Sequence, residues 1–122
     1  MTTNDLRAWT TARLSDITRE VYCGTAPGSA KKPYLVYGLE VLSRKPGMTI
    51  QELEVEVVDY GRDTARAEAM ADAVEAALHD RTDLTEHFFV AIYHERRQPI
   101  YENDRLIIRR RLTFQVRVHE RS

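Results

Sequence analysis

The C-terminal end of the chain alternates between hydrophobic and polar residues over a long stretch. From residue 112 to 118 every second residue is apolar, and the residues between them are polar or cationic. A period of two held this long is typical of a strand with one side on a core and the other side exposed. The sequence therefore predicts a half-buried strand over residues 106–118. Its apolar positions are Leu112, Phe114, Val116 and Val118.

Two segments instead repeat their hydrophobic residues at the spacing of an α-helix. The first predicts a helix from about Asn4 to Glu20, with Asn4 or Asp5 as the N-cap. The second is rich in alanine and predicts a helix over residues 64–79, with Asp63 as the N-cap. The apolar positions are Leu6, Trp9, Leu14, Ile17 and Val21 in the first helix and Met70, Val74 and Leu78 in the second.

Three further segments have the alternation or the β-branched and aromatic content of strands. They span residues 34–42, 50–60 and 87–95. Residues 44–47 predict a hairpin tip, residues 80–83 end the second helix, and residues 96–104 predict a polar connection. The predicted fold class is therefore α+β: a mainly antiparallel four-stranded sheet with two helices packed on one face, in the order α-β-β-α-β-β.

The composition is that of an ordinary folded protein. The chain has 122 residues, of which 43% are hydrophobic and 30% charged, so residues 1–122 are expected to form a single domain. Cys23 is the single cysteine, which excludes a disulfide framework within the chain. The sequence contains no signal-peptide pattern and no apolar run that could span a bilayer, so no membrane partner is predicted.

The net charge of −1 argues against a dedicated nucleic-acid binder, but the charges are segregated along the chain. Residues 1–48 have a balance of +3, residues 49–87 of −8, and residues 88–122 of +4. Blocks of opposite sign can neutralise one another within one subunit or between subunits. The sequence leaves both possibilities open.

No pattern of residues predicts catalysis or a bound cofactor. The four histidines, at positions 79, 87, 94 and 119, lie on separate predicted elements without the spacing of metal ligands. Cys23 has no neighbouring base that would make it a nucleophile. The glutamates of the strand 50–60 alternate regularly, as on an exposed face, whereas metal-dependent nucleases cluster their acids in a concave site. We therefore predict a protein that is not an enzyme and that has no metal site and no cofactor.

The last strand is rich in arginine. Arg110 is expected to point inward or to an edge, while three other arginines share the exposed face. These are Arg109, Arg111 and Arg117, and the candidate partners on the strand 50–60 are Glu52, Glu54 and Glu56. The pairing can occur across neighbouring strands of one subunit or across a boundary between subunits. The alternative functions are a nucleic-acid-binding or nucleic-acid-processing module that uses this strand, or an adaptor with an unrelated binding role, although few aromatic residues accompany the arginines.

The order of these elements resembles the tail-completion, or tail-terminator, proteins of long-tailed bacteriophages. The resemblance covers nearly the whole chain. It is carried by the first helix, the strand that starts with Pro33–Tyr37, the glutamate-alternating strand, the alanine-rich helix around Ala67–Leu78 and the arginine-rich last strand.

The resemblance implies a structural, non-enzymatic virion assembly protein with an α+β fold. Such proteins form a ring, usually of six subunits, on the head-proximal end of the tail tube. The ring stops tube polymerisation and offers a surface on which the head docks. The implied partners are copies of the chain itself, the tail tube protein and the head–tail connector protein, and DNA passes through the ring without specific binding. The implied location is the virion tail, with assembly in the host cytoplasm.

Two sets of residues are candidates for these contacts. Charge complementarity between strand faces suits a head-to-tail contact that closes into a ring, so the predicted subunit interface consists of Glu52, Glu54, Glu56, Arg109, Arg111 and Arg117. The hairpin tip 44–49 and the connection 96–104 are long and polar, which suits contact with the tube or the connector. The residues predicted to make that contact are Arg44, Lys45, Met48, Arg96, Arg97 and Tyr101.

Overall fold

The computed structural model describes residues 3–121, which form two helices and six strands. The elements are α1 (Thr3–Ser15), β1 (Val21–Cys23), β2 (Tyr34–Lys45), β3 (Met48–Tyr60), α2 (Ala65–Leu78), β4 (Arg81–Leu84), β5 (Phe88–Ile100) and β6 (Ile107–Glu120). The order along the chain is therefore α-β-β-β-α-β-β-β. No helix within residues 3–121 is long and apolar enough to cross a membrane.

The predicted four-stranded, mainly antiparallel sheet is wrong. The strands form one six-stranded mixed sheet in the order β1-β2-β3-β6-β5-β4. β1 runs parallel to β2, and every other neighbouring pair is antiparallel. The two missed strands, β1 and β4, have three and four residues and lie at the two edges. They are too short to show an alternation in the sequence, and their backbone pairing with a longer neighbouring strand is what orders them.

The predicted polar connection 96–104 is also partly wrong. β5 continues to Ile100 and pairs with β6 as far as Arg109. A β-bulge between His94 and Arg96 shifts the register there. One extra residue in a strand reverses which positions face outward, so the alternation in the sequence breaks at the bulge although the strand continues. The connection that remains spans residues 101–106.

The helix boundaries differ from the prediction by a few residues. α1 ends at Ser15, not near Glu20, and the amides of Ile17 and Thr18 donate hydrogen bonds to the carbonyl of Leu14. At the start of α2 the N-cap residue is Thr64, while Asp63 accepts a hydrogen bond from the amide of Ala65 at 2.9 Å. Asp63 therefore still satisfies one of the free amides of the first turn, although it lies one residue before the N-cap.

One face of the sheet packs against both helices and forms the core. Ala67 and Ala71 are fully buried, and their small side chains let α2 lie close to the sheet. A fully buried side chain of the size of valine, leucine or phenylalanine stabilises the fold by roughly 1.5–3 kcal/mol. The central core residues are Leu53, Val55 and Val57 of β3, Leu112, Phe114 and Val116 of β6, and Leu6, Trp9 and Leu14 of α1.

Ion pairs connect α2 to the sheet. Asp59 of β3 is 1% exposed and accepts hydrogen bonds from Arg66 at 2.7 and 3.0 Å. Arg110 of β6 forms an ion pair with Glu68 of α2, so its side chain lies on the helix-covered face of the sheet. A buried charge is tolerated where a partner and hydrogen bonds compensate for the lost hydration, and the buried Asp59 has both.

Candidate functional surface

The face of the sheet opposite the helices, here called the outer face, is the candidate functional surface. Every second side chain of the two central strands points to it because side chains alternate along a strand. β3 and β6 are direct neighbours, and their register places Glu56 opposite Arg111, Glu54 opposite Thr113 and Glu52 opposite Gln115. The predicted interface residues on this face are Glu52, Glu54 and Glu56 of β3 and Arg109, Arg111 and Arg117 of β6.

Glu56 joins two arginines of the neighbouring strand. Its Oε1 accepts hydrogen bonds from Nε and Nη2 of Arg111 at 3.0 and 2.7 Å, and its Oε2 accepts one from Arg109. Arg109 also forms an ion pair with Glu102 in the connection between β5 and β6. The side chain of Glu56 is 14% exposed. Two of the outer-face arginines are thus neutralised within the chain, as in the intramolecular alternative that the sequence left open.

The other residues of the predicted interface form weaker contacts within the described part of the chain, or none to a charged partner. Glu52 lies 3.9 Å from Arg96, at the limit of an ion pair. Arg117 is exposed and donates a hydrogen bond from Nε to Oε1 of Gln115 at 3.2 Å. Among residues 3–121, neither Glu54 nor Arg117 forms an ion pair. These two side chains have their charges available for a partner.

The pKa of Glu56 lies below its ordinary value of 4.5. Burial alone raises the pKa, but hydrogen bonds from Arg109 and Arg111, together with the charges of these arginines, lower it by more. The same balance holds at Asp59. Burial raises its pKa, but hydrogen bonds from Arg66 and the amide of Tyr60 lower the pKa by more, so that it lies below 3.8. Both carboxylates are therefore more acidic in the folded protein than in the unfolded chain.

We expect these two carboxylates to make the fold sensitive to acid. A carboxylate whose pKa is lowered on folding stabilises the protein above its unfolded pKa, and the contribution is lost as the pH falls through the folded pKa. The free energy of unfolding should therefore fall as the pH drops below about 4.5, the ordinary value for Glu56. Urea unfolding followed by circular dichroism at a series of pH values measures this. Asp59→Asn should flatten the acid limb of the curve, and an unchanged slope in that variant would contradict the assignment.

A cleft of about 510 Å³ opens at the end of the outer face nearest the connection between β5 and β6. Lys32, Glu56, Glu102 and Arg109 contribute charged groups, and Tyr34, Val36, Val58 and Ile107 contribute apolar surface. Residues 24–26, which follow β1, form one wall. The sequence did not predict this cleft, because the parallel pairing of β1 with β2 is what brings that loop beside β3 and β6. Among residues 3–121, no group of three or more His, Cys, Asp or Glu side chains is placed to hold a metal ion.

Four of the residues predicted to contact the tube or the connector lie at the two opposite ends of the sheet. Arg44 and Lys45 end β2 and Met48 begins β3, around a tight turn in which Gly47 has a φ of +74°. At the other end, Tyr101 follows β5 and is 87% exposed. The register confirms the separation, since Met48 pairs with His119 whereas the far end of β3 pairs with Ile107.

Two residues of the same set lie within β5 rather than in a connection. Arg96 is on the outer face, with 53% of its side chain exposed. Arg97 is on the other face, where it forms ion pairs with Asp72 at 2.6 Å and Glu68 at 3.0 Å. Arg96 is therefore accessible to a partner, and Arg97 is engaged with α2.

The sequence model of the family described as tail completion protein gp17 matches residues 3–119. A chain in the solved structure described as "Virion of native gene transfer agent (GTA) particle" is similar with a TM-score of 0.71 and 22% sequence identity, over 89% of this chain and 93% of that chain. At this identity the similarity shows a shared fold. No curated protein matches the chain.

Proposed function

This chain belongs to the tail completion protein gp17 family, and we propose that it forms a ring that caps the head-proximal end of a tail tube. Membership of the family, which covers residues 3–119, makes it a structural protein of a bacteriophage-type virion and confirms the resemblance found in the sequence. In the proposed role the ring, of six subunits by the expectation for this family, stops tube polymerisation and offers a surface on which the head docks. The protein works by binding and not by catalysis.

The observation that carries this proposal is the position of the two polar tips. The turn between β2 and β3 and the connection between β5 and β6 lie at opposite ends of the sheet. β3 has 13 residues, which at the rise of an extended strand separates the two tips by about 40 Å. A subunit held between a tube and a connector needs one contact surface on each side. Arg44, Lys45 and Met48 supply one surface, and Tyr101 lies on the other.

The electrostatics of the outer face favour this role over nucleic-acid binding. Binding to a phosphate backbone draws its affinity from free cations that displace counterions. Here Glu56 and Glu102 together balance the charges of Arg109 and Arg111, and Glu68 forms an ion pair with Arg110. A strand that looks strongly basic in the sequence thus offers few free cations, which suits a ring through which DNA passes without specific binding.

The predicted subunit interface on the outer face remains part of this proposal. Because Glu56, Arg109 and Arg111 are engaged within the chain, a contact between subunits through this face would depend mainly on Glu54 and Arg117. Charge reversal at Glu54 or Arg117 tests that contact separately from any other. A contact through this face is then distinguishable from a contact through the edges of the sheet.

The proposed function is tested by deleting the gene from the genome that carries it. Without the cap, we expect tail tubes of uncontrolled length and full heads that lack tails, both visible by negative-stain electron microscopy. Expression of the protein in trans should restore tails of normal length. Tails of normal length that are joined to heads in the deletion strain would contradict the proposal.

The solution mass of the purified protein gives a second test. We expect discrete oligomers near six subunits by light scattering at high protein concentration or after addition of purified tube protein. The nucleic-acid alternative instead predicts binding to duplex DNA whose affinity falls steeply with salt concentration. Tight, salt-sensitive DNA binding without ring formation would favour that alternative.

A further inference from the structure

Within the part of the chain that the structure describes, β2 and β5 each have one side that a neighbouring strand covers over only part of its length. β1 pairs with residues 35–37 of β2, which leaves residues 38–45 of β2 with one side open. β4 pairs with residues 89–92 of β5, and past the bulge residues 96–100 of β5 have one side open. We call these two stretches the open β2 edge and the open β5 edge. The strand order places them on opposite sides of the sheet.

The two open edges also lie at opposite ends of the sheet. The open β2 edge pairs on its inner side with residues 48–54 of β3, next to the hairpin turn. The open β5 edge pairs with residues 109–113 of β6, at the far end. β2 is antiparallel to β3, β3 to β6, and β6 to β5, so β2 and β5 run in opposite directions. A second copy in the same orientation, placed beside the first and shifted along the strands, brings the two open edges together as an antiparallel pair.

The backbone of the open β2 edge is suitably oriented for this pairing. The amide of Leu35 donates to Glu20, and the carbonyl of Tyr37 accepts from the amide of Gly24, both on the β1 side. Backbone groups of alternate residues in a strand point to the same side. Leu39 and Val41 therefore direct their amides and carbonyls to the open side, where β1 no longer covers them.

Both edges also carry features that restrict pairing. The open β5 edge contains Pro99, which has no N–H to donate, and follows the bulge at His94 to Arg96. A second bulge interrupts the open β2 edge after Val41. Bulges and prolines are devices that keep exposed edges from pairing indiscriminately. The bulges confine pairing to a short segment on each side, residues 38–41 and 96–100, and Pro99 removes one donor from the second segment, so that a matched partner is required.

The side chains at the two edges supply that match. Glu40 is exposed on the outer face of the open β2 edge, where none of residues 3–121 forms an ion pair with it. Arg96 is exposed on the same face of the open β5 edge, and within residues 3–121 its one ion pair is the 3.9 Å contact to Glu52. Opposite charges on one face of paired strands attract each other. Val41 and Leu42, which are 38% and 54% exposed, add apolar surface that such a contact would cover.

From this geometry we infer that copies of the chain join edge to edge, with residues 38–41 of one copy adding to residues 96–100 of the next. The inference rests on the proposed function, because the ring supplies the setting for the contact. Addition of a strand to an exposed edge is a common mode of recognition. The contact uses two different surfaces of the chain, so repeating it closes a ring where the rotation between neighbours permits, with a sheet that is continuous from subunit to subunit.

Crosslinking in assembled tails tests the inference directly. In a Cys23→Ser background, Glu40→Cys and Arg96→Cys are combined, and tails purified from the complemented deletion strain are treated with a short bismaleimide. We expect a ladder of covalent oligomers that reaches the size of the ring. Each single cysteine variant is the matched control and should stay monomeric on a denaturing gel.

Charge reversal gives an independent measurement. Glu40→Arg and Arg96→Glu should each weaken self-association at least about 10-fold, because every contact in the ring then carries a like-charge pair. Combining the two reversals should restore association. Analytical ultracentrifugation measures the association, and circular dichroism checks that each variant is folded.

The outcomes separate this inference from the proposed function. The edge contact would be overturned if tails were normal but gave no crosslinked ladder, and if Glu54→Arg abolished the ring while Glu40→Arg did not. The capping ring would then remain in place. Normal tails in the deletion strain would overturn the capping function itself. A ladder in the double cysteine variant, with rescue by the double charge reversal, supports both.

Discussion

Phe114→Ala should lower the free energy of unfolding by about 3–5 kcal/mol, the range for removing a buried aromatic ring. Phe114 is fully buried in β6, at the centre of the sheet, and belongs to the core that both helices cover. Truncation leaves a cavity that the two neighbouring strands cannot close, because the ladders on both sides hold them in place. Urea unfolding followed by circular dichroism at neutral pH measures the loss.

Phe89→Ala is the matched control for this prediction. Phe89 lies on the adjacent strand β5, points to the outer face and is 37% exposed. Its truncation should cost less than about 1 kcal/mol, as for most substitutions near the surface. Equal losses for the two phenylalanines would mean that the assignment of the buried and outer faces is wrong.

Glu56→Gln should cost about 1–3 kcal/mol, the range for leaving charged or buried groups without their partner. The substitution removes the carboxylate shared by Arg109 and Arg111. The two guanidinium groups then lie on one face without their shared counter-charge. The loss should be measured by urea unfolding at neutral pH, and it should shrink as the pH falls, because protonation of Glu56 in the parent protein has the same effect.

Glu54→Gln provides the control for this second prediction. Glu54 lies on the same face of the same strand, two residues away, and forms no ion pair within residues 3–121. We expect its substitution to change the free energy of unfolding by less than about 0.5 kcal/mol. If Glu54→Gln and Glu56→Gln are equally destabilising, the arginine pairing of Glu56 contributes nothing specific.

The paired arginines show that a strand with a basic sequence can have few free positive charges. In the sequence, residues 109–111 are three consecutive arginines on a half-buried strand, a pattern that nucleic-acid binders also show. In the structure Arg109 and Arg111 share Glu56, and Arg110 is paired on the opposite face with Glu68. The charge of a segment therefore does not by itself indicate its partner. What matters is which of its cations remain unpaired once the strands are assembled.

The sequence by itself determined the long elements and their faces. The alternation over residues 112–118 and the glutamate alternation in β3 predicted strands that the structure contains, with the apolar side in the core. The alanine-rich pattern predicted α2 to within one residue at each end. The family was also predicted correctly from the order of these elements. Such features depend on periodicity within one segment, so they can be recognised without knowledge of the rest of the chain.

Only the tertiary structure decided the edges of the sheet and the partners of its charges. β1 is ordered by hydrogen bonds to β2 and β4 by hydrogen bonds to β5, and the second half of β5 follows a bulge that breaks its pattern. Glu56 and its arginines are more than 50 positions apart in sequence. His79 accepts a hydrogen bond from the amide of His94 although the two were predicted on separate elements. Each of these contacts depends on strand order and register, which the pattern within one segment does not contain.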